Sequence, residues 1–338
     1  MKLDRAGKPP FLEITNRWFK ISGNTSFKRY GKGYASSNWI FRHRGARYIL
    51  KEFSDFKTRR GVVYEYRITN YISGSGFPYE IPILLPAKDG KPFVEQEGKL
   101  YSLYRYISGR AGVKIGIGDA MEIGMLVAKL HNAIEGYAPR ACFKRRGHHD
   151  PTRIRKRLKA SRSRAASRND SISQVYMECS SWFLPVLDKI DLGYYYGLKA
   201  FPAHEDIAPG NILWRNGRIA ALIDFGNIGR YRSPFIQDTA FAAYSCCLDG
   251  TGDSRLRIAL FKNFFMGYNS IRRISANDAK TMLHIIVLAA ADNMEFLYFV
   301  GSRSIKRVNR GDLTSKVKVS KWLLKNNRIL TALMVGKA

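Results

Sequence analysis

The sequence predicts an α+β protein in two parts: a small, strand-rich part over residues 1–105 and a larger, mainly helical part over residues 106–338. Three observations carry this. Turn dipeptides at Arg44-Gly45, Asp89-Gly90 and Glu97-Gly98 cut the early chain into short apolar runs. From residue 121 onward, apolar residues recur at helical spacing. Within the helical part, residues 201–230, FPAHEDIAPGNILWRNGRIAALIDFGNIGR, gather carboxylate and amide side chains at strand ends.

In chain order, residues 27–53 read as a Gly-containing turn, a strand at 39–42, the Arg44-Gly45 turn and a strand ending in Ile49-Leu50-Lys51. Gly31 and Gly33 with the small Ala35, Ser36 and Ser37 leave room for backbone amides to approach phosphates, and a plain hairpin turn fits them equally well. Residues 57–73 follow as a helix carrying Glu65, and 76–109 as strands, the last of which holds Tyr104 and Tyr106. Residues 121–134 suit a buried helix. His131 near its end reads as a packed core histidine, because no second His or Cys stands at metal-ligand spacing.

In the 201–230 segment, Pro209-Gly210 is a turn signal after Asp206, and the apolar 212–214 follow Asn211 as a buried strand would. Asn216-Gly217 is a hairpin turn, and 218–223 is the returning strand that delivers Asp224. Asp206, Asn211 and Asp224 are the residue types that phosphoryl transfer needs. Its loose, charge-rich transition state requires an oriented acceptor hydroxyl and a divalent cation on the phosphates.

His204-x-Asp206, Asn211 five residues later, and then Ile223-Asp224-Phe225-Gly226 resemble the catalytic core of the kinase-like phosphotransferases, especially the aminoglycoside phosphotransferase and choline kinase group. The resemblance implies a two-lobed, protein-kinase-like fold with a small antiparallel-sheet N-lobe and a mainly helical C-lobe, using ATP and Mg2+. It implies Asp206 as catalytic base, Asn211 and Asp224 as metal ligands, and His204 and Asp238 as supports of the catalytic loop. Lys51 braced by Glu65 is similar to the kinase lysine and glutamate on the phosphates. Ser36, Ser37, Tyr104 and Tyr106 fall in the implied nucleotide-binding part, the tyrosines on the strand that runs into the adenine hinge. Glu205 departs from the pattern, since the group usually has Gly or Asn there. Its extra charge beside the implied base fits either a contact at the acceptor site or a side chain that merely faces solvent.

Composition sets the frame. Lys and Arg number 57 against 27 acidic residues, for a net charge of +30. Residues 144–168 carry 11 basic residues against one acid, and 303–328 carry nine against one. The first run, rich in Ser and Arg, reads as a mobile or weakly helical basic insertion. It is expected either to meet an anionic partner or simply to be a solvated face. No interleaved aromatic signature there supports nucleic-acid reading. Asp292 and Glu295 lie three apart amid apolar residues. They fit either a cationic group of an acceptor or salt bridges to local arginines. No uninterrupted run of 18 apolar residues marks a transmembrane segment, and no secretory segment follows the basic start. Four cysteines without CxxC spacing suit a reduced, cytoplasmic setting.

Only residues 226–235 separate Asp224 from the next helix, too few for the peptide-docking segment of protein kinases. The expected reaction is therefore ATP-dependent phosphorylation of a hydroxyl on a small acceptor such as an amino-sugar or amino-alcohol. The alternatives are an atypical protein or macromolecule kinase of the same superfamily, and a non-catalytic kinase-fold protein binding a polyanion.

Overall fold

In a computed structural model of the chain, residues 11–21, 23–30, 36–53, 57–137, 151–228, 232–303 and 307–337 are described. Contacts divide the chain into two units, Met1–Arg110 with Leu213–Arg230 and Ala111–Ile212 with Tyr231–Ala338. The hairpin that leads to Asp224 thus groups with the first unit, whereas a linear boundary at 105 assigns it to the second.

The first unit is built on an antiparallel sheet of β1 (Lys28–Arg29), β2 (Ser36–His43), β3 (Ala46–Phe53), β4 (Leu84–Leu85), β5 (Val94–Gln96) and β6 (Lys99–Arg105). The order is β1-β2-β3-β6-β4, with β5 also on β6. At the β2–β3 turn, Arg44 and Gly45 both have positive φ (47° and 79°), the twist that a two-residue hairpin demands. Alternation along the strands makes two cores. Trp39, Phe41, Tyr48, Leu50 and Leu103 pack with Phe11, Ile14 and Trp18 from in and around α1 (Phe11–Thr15). Phe53, Leu100 and Tyr104 pack on the other face with Leu84 and with Val62 of α2 (Arg59–Gly74). Lys51 shares the second face with Ile49 and Phe53, because side chains two apart in a strand point the same way.

The second hairpin pairs strands Ile212–Arg215 and Arg218–Leu222 around Asn216 (φ 52°) and Gly217 (φ 74°). Glu80 stitches it to the first unit, its N–H donating to the Ala220 carbonyl (2.9 Å) and its carbonyl accepting from Leu222 (3.0 Å).

The second unit is helical. Its helices are α3 (Ile117–Glu135), α4 (Pro151–Ala166), α5 (Ser171–Asp188), α6 (Gly193–Gly197), α7 (Phe235–Ala243), α8 (Ser254–Asn269), α9 (Ala276–Ser302), α10 (Arg310–Lys325) and α11 (Asn327–Met334). Strands Phe201–Pro202 and Arg232–Ser233 pair beside them. α3 and α8 cross in direct backbone contact. A Cβ on Gly124 would stand 2.0 Å from the Phe264 oxygen, and one on Gly267 2.0 Å from the Met121 oxygen, so only glycine fits at either place. The last apolar stretch forms two helices, α10 and α11, broken at Asn326. α9 is long and apolar enough to span a bilayer by length and composition, and 72% of that window is buried inside the fold.

The basic insertion differs from expectation. Residues 144–150 lie outside the described residues, but 151–166 form a regular helix, α4. Ile154, Leu158, Ser161 and Ala165 make a buried stripe at helical spacing that packs on α5 and α9. The cations are largely engaged at home. Arg157 pairs with Asp292, Arg155 with Asp188, and Arg162 donates to the Met177 carbonyl at 2.7 Å. A few apolar residues at the right period suffice to dock a helix whose composition looks disordered.

Candidate active site

In the second unit the loop after Pro202 runs buried up to Glu205, and its backbone is held by one side chain. The Asp238 carboxylate, in the first turn of α7, accepts from the Glu205 N–H at 2.8 Å and from the His204 N–H at 3.1 Å. His131 Nε2 faces the same carboxylate at 3.4 Å, while its Nδ1 meets the Tyr268 hydroxyl at 3.0 Å. Burial alone pushes the Asp238 carboxyl up, but the hydrogen bond and charge of His131, the charge of His204 and the Glu205 amide outweigh it. The carboxyl is held below its usual range. For His131 burial prevails over Asp238, and the imidazole is shifted down. His131 is thus the packed core histidine expected, and Asp238 supports the loop through its backbone.

Glu205 occupies left-handed backbone at φ 58°, where a Cβ is disfavoured and Gly or Asn is the ordinary solution. Its side chain accounts for the exception. Glu205 is 3% exposed, and Oε1 accepts from the Ser233 hydroxyl (2.8 Å) and from Gln237 Nε2 (3.2 Å). The Gln237 amide oxygen in turn accepts from the Tyr195 hydroxyl. Glu205 therefore ties the loop to the segment that opens α7. As an acceptor contact it is displaced by these bonds.

Asp206 follows, half-buried, and Asn211 closes the loop in a short 3-10 turn capped by the Ala208 carbonyl. Asn211 Nδ2 donates to both the Asp206 carbonyl (2.8 Å) and Asp206 Oδ2 (2.9 Å). With the amide nitrogen so fixed, Asn211 Oδ1 is the face left to meet a cation.

In the first unit Asp224 stands two residues past its strand, also left-handed (φ 63°, ψ 59°) and with its side chain 48% exposed. A Cβ on Gly226 would crowd Asp224 Oδ1 at 3.1 Å, so glycine leaves that carboxylate room beside the turn. Lys51 Nζ bonds Asp224 Oδ1 at 3.2 Å. Burial opposes the Lys51 charge, but Asp224 and then Glu65 more than compensate, and the ammonium is stabilised.

Glu65 does brace a lysine, though a different one. Its Oε2 takes Lys57 Nζ at 2.7 Å and its Oε1 accepts from the Tyr104 hydroxyl at 3.0 Å. Tyr104 is therefore a buried partner of Glu65 rather than a face for adenine, and burial together with Glu65 pushes its phenol well up. Tyr106 is half-buried, with the Arg47 guanidinium 4.1 Å above its ring. Ser36 and Ser37 are half-buried at the start of β2, and Gly31, Gly33 and Ala35 lie outside the described residues. Lys57 was missed by reading the sequence. The available signal was its place just before the helix cap Thr58, within reach of Glu65 two turns on.

Asp292 and Glu295 resolve to the salt-bridge reading. Arg157 pairs with Asp292, and the Ser161 hydroxyl donates to Glu295 at 2.9 Å, all in the helical core. A cavity of about 510 Å3 in the first unit, bounded by Thr25, Ser26, Lys28, Arg42 and Arg47, contains none of the predicted site residues.

Among the described residues, no three His, Cys, Asp or Glu gather as a metal cage. Asn211 in the second unit and Asp224 in the first each offer an oxygen donor, amide and carboxylate respectively, of the kind that suits a hard cation such as Mg2+. The described thiols, Cys179, Cys246 and Cys247, are buried and unpaired, and burial pushes that of Cys246 up to about 12.

Residues 26–272 match the phosphotransferase enzyme family. The chain is 22% identical over 273 residues to a homoserine kinase of Granulibacter bethesdensis, covering 81% of this chain and 80% of that one. It is 23% identical over 282 residues to that of Caulobacter vibrioides, covering 83% of each. Among solved structures it is similar to an amicoumacin kinase in complex with AMP-PNP and Ca2+ (TM-score 0.66, 14% identity, 92% of this chain and 91% of that one). A choline kinase from Cryptosporidium parvum Iowa II is also similar (TM-score 0.59, 12% identity, 95% and 96%). With a family match over residues 26–272, an antiparallel sheet in the first unit and a helical second unit, the chain belongs to the phosphotransferase enzyme family and has its kinase-like fold.

Proposed function

We propose that the protein transfers the γ-phosphoryl group of ATP to a hydroxyl group of a small acceptor that also carries an amine, such as an amino-alcohol, an amino-sugar or a hydroxy amino acid. The observation that carries this reading is the double hydrogen bond from Asn211 Nδ2 to Asp206. It orients a carboxylate as base and turns an amide oxygen toward a cation in one stroke.

In this reading Asp206 orients the acceptor hydroxyl and takes its proton. Asn211 Oδ1 and the Asp224 carboxylate hold the metal. Bound Mg2+ supplies charge neutralisation on the phosphate oxygens. Lys51 leaves Asp224 for the phosphates. Asp238 keeps the peptide before Asp206 rigid through two backbone bonds. The acceptor class is supported by the homoserine kinase relatives and by similarity in fold to an aminopropanol kinase. The short link from Asp224 to α7 favours a small acceptor over a protein one. The buried thiols agree with a reducing, cytoplasmic setting.

The test is ADP release by purified protein with Mg-ATP and a panel of homoserine, 1-amino-2-propanol, choline and spectinomycin, with phosphorylated product identified by mass spectrometry. Transfer to one of these, abolished in Asp206→Ala, is the expected result. Failure to bind Mg-nucleotide at all would overturn it.

A further inference from the structure

The pairing of lysines and carboxylates in the first unit differs from the Lys51–Glu65 pair that the resemblance implies. Two ammonium groups, Lys51 and Lys57, flank the same Phe53 ring at 5.5 and 5.6 Å from its centroid. They divide two carboxylates between them. Lys51 takes Asp224, whose side chain is half exposed, while Lys57 takes Glu65, whose side chain is 2% exposed. Lys57 does one thing more: it donates to the carbonyl oxygen of Gly226 at 2.7 Å. A single ammonium therefore links a buried carboxylate of α2 to the backbone of the turn that carries Asp224, two residues from that ligand.

The consequence follows from the backbone of that turn. Asp224 is left-handed, a conformation that strains an L-residue and persists only where its surroundings hold it. Lys51 is not a lasting holder in the function proposed above, because it leaves Asp224 for the phosphates when the carboxylate meets a metal. Lys57 does not touch that carboxylate, and its two acceptors stay available whether or not a cation is bound. Tyr104, by donating to Glu65 Oε1, leaves Oε2 fixed toward Lys57.

We propose that Lys57 is a positioning residue for the metal ligand: by anchoring the Gly226 carbonyl to Glu65 it holds the Asp224 carboxylate in the orientation that binds metal-nucleotide, without contacting metal or nucleotide itself. This deepens the function proposed above and rests on it. It separates the roles of the two lysines. Lys51 is the mobile cation that exchanges Asp224 for phosphate, and Lys57 is the fixed one.

Calorimetric titration of ADP in excess Mg2+ and in EDTA, on wild type, Lys57→Met, Lys57→Arg and Glu65→Gln, tests the division. Wild type should bind ADP more tightly with Mg2+. Lys57→Met should lose about tenfold or more of the Mg2+-dependent gain while binding metal-free ADP within about twofold of wild type. Lys57→Arg, which can still donate to both acceptors, should recover most of it. Glu65→Gln keeps the shape of the anchor but weakens it and should show a smaller selective loss, which keeps the test decisive if Lys57→Met is poorly folded. Equal loss in Mg2+ and in EDTA would make Lys57 a direct phosphate ligand or a general stabiliser and overturn the proposal, as would an unchanged Mg2+ gain. A wild type with no Mg2+ gain would instead overturn the functional reading on which the proposal stands.

Discussion

Glu205 in the second unit and Asp224 in the first are both acidic residues on left-handed backbone, and they use it in opposite ways. Glu205 is buried, and its carboxylate is taken up by Ser233 and Gln237. Asp224 keeps its side chain half exposed, with Lys51 paired to its carboxylate at 3.2 Å. The same local strain thus serves a fixed strut in one place and a presented ligand in the other. What separates them is what the fold puts around the carboxylate: a buried hydroxyl and amide for Glu205, and an ammonium at a half-exposed position for Asp224. Backbone strain marks both candidate regions, but burial and partners decide whether the strained side chain is tied down or exposed.

Substitutions can sharpen this contrast. The largest effect is expected at the presented groups. Asp206→Ala should lower turnover by about 10²–10⁴-fold, the range typical of a lost general base, with Mg-ADP affinity nearly unchanged. Asp224→Ala should abolish the Mg2+ dependence of nucleotide binding as well. Steady-state kinetics and calorimetry read the two apart. If Asp206→Ala left turnover intact, the assignment of the base would fail.

Next comes the helical core. Arg157→Met leaves the Asp292 and Glu295 carboxylates buried without their cation and should destabilise by about 2–4 kcal/mol in chemical denaturation, the half-exposed arginine moderating the full penalty of a broken buried pair. Arg310→Ala removes an exposed 3.9 Å contact to Glu178 and should cost less than about 0.5 kcal/mol. Similar losses at the two sites would show that α4 is not docked as described.

At the strut, Glu205→Gly relieves the left-handed strain but strands the Ser233 hydroxyl and the Gln237 amide. The net loss should be about 1–2 kcal/mol, since unsatisfied buried donors outweigh the strain recovered. A more stable Glu205→Gly variant would mean that the network holds nothing.

The smallest effect is one of pH. The His131 pKa in the fold is below its usual value of 6.5, so above pH 6.5 folded and unfolded chains are equally deprotonated there. As pH falls below 6.5 the unfolded chain takes up a proton that the folded one refuses, and stability should decline by at most about 1.4 kcal/mol per pH unit until the lowered pKa is reached. Denaturation midpoints between pH 7.5 and 5.5 should show this decline, and His131→Gln should flatten it. An unchanged slope in that variant would place the titration elsewhere.

Much of the architecture could be read from order and punctuation alone. Arg44-Gly45, Glu97-Gly98 and Asn216-Gly217 all fold with positive φ at both positions, because few residue pairs tolerate that conformation and the chain places them between apolar runs. The spacing of Asp206, Asn211 and Asp224 was likewise legible, since five residues with a Pro-Gly turn and one hairpin are local constraints. The pairing of Glu65 with Lys57 was not. Lysines at 51 and 57 are both within reach of a helix one element away, and only the packing around Phe53 assigns each its carboxylate. The docking of α4 was obscured for a related reason: its composition is dominated by cations, while its fate is set by Ile154, Leu158 and Ala165.

By itself, then, the amino-acid order determined what depends on neighbours in the chain: the turns, the strand and helix periods, and the presence of two carboxylates and an amide at the intervals the proposed chemistry needs. The tertiary structure decided what depends on distant partners. It gave Glu205 a hydroxyl and an amide to bind, turned Asp292 and Glu295 toward Arg157, and set Lys57 between Glu65 and the Gly226 carbonyl. The reason is physical. A backbone conformation is chosen over a few residues, where steric exclusion is strong, whereas a buried charge takes whichever opposite charge or donor the finished packing leaves nearest.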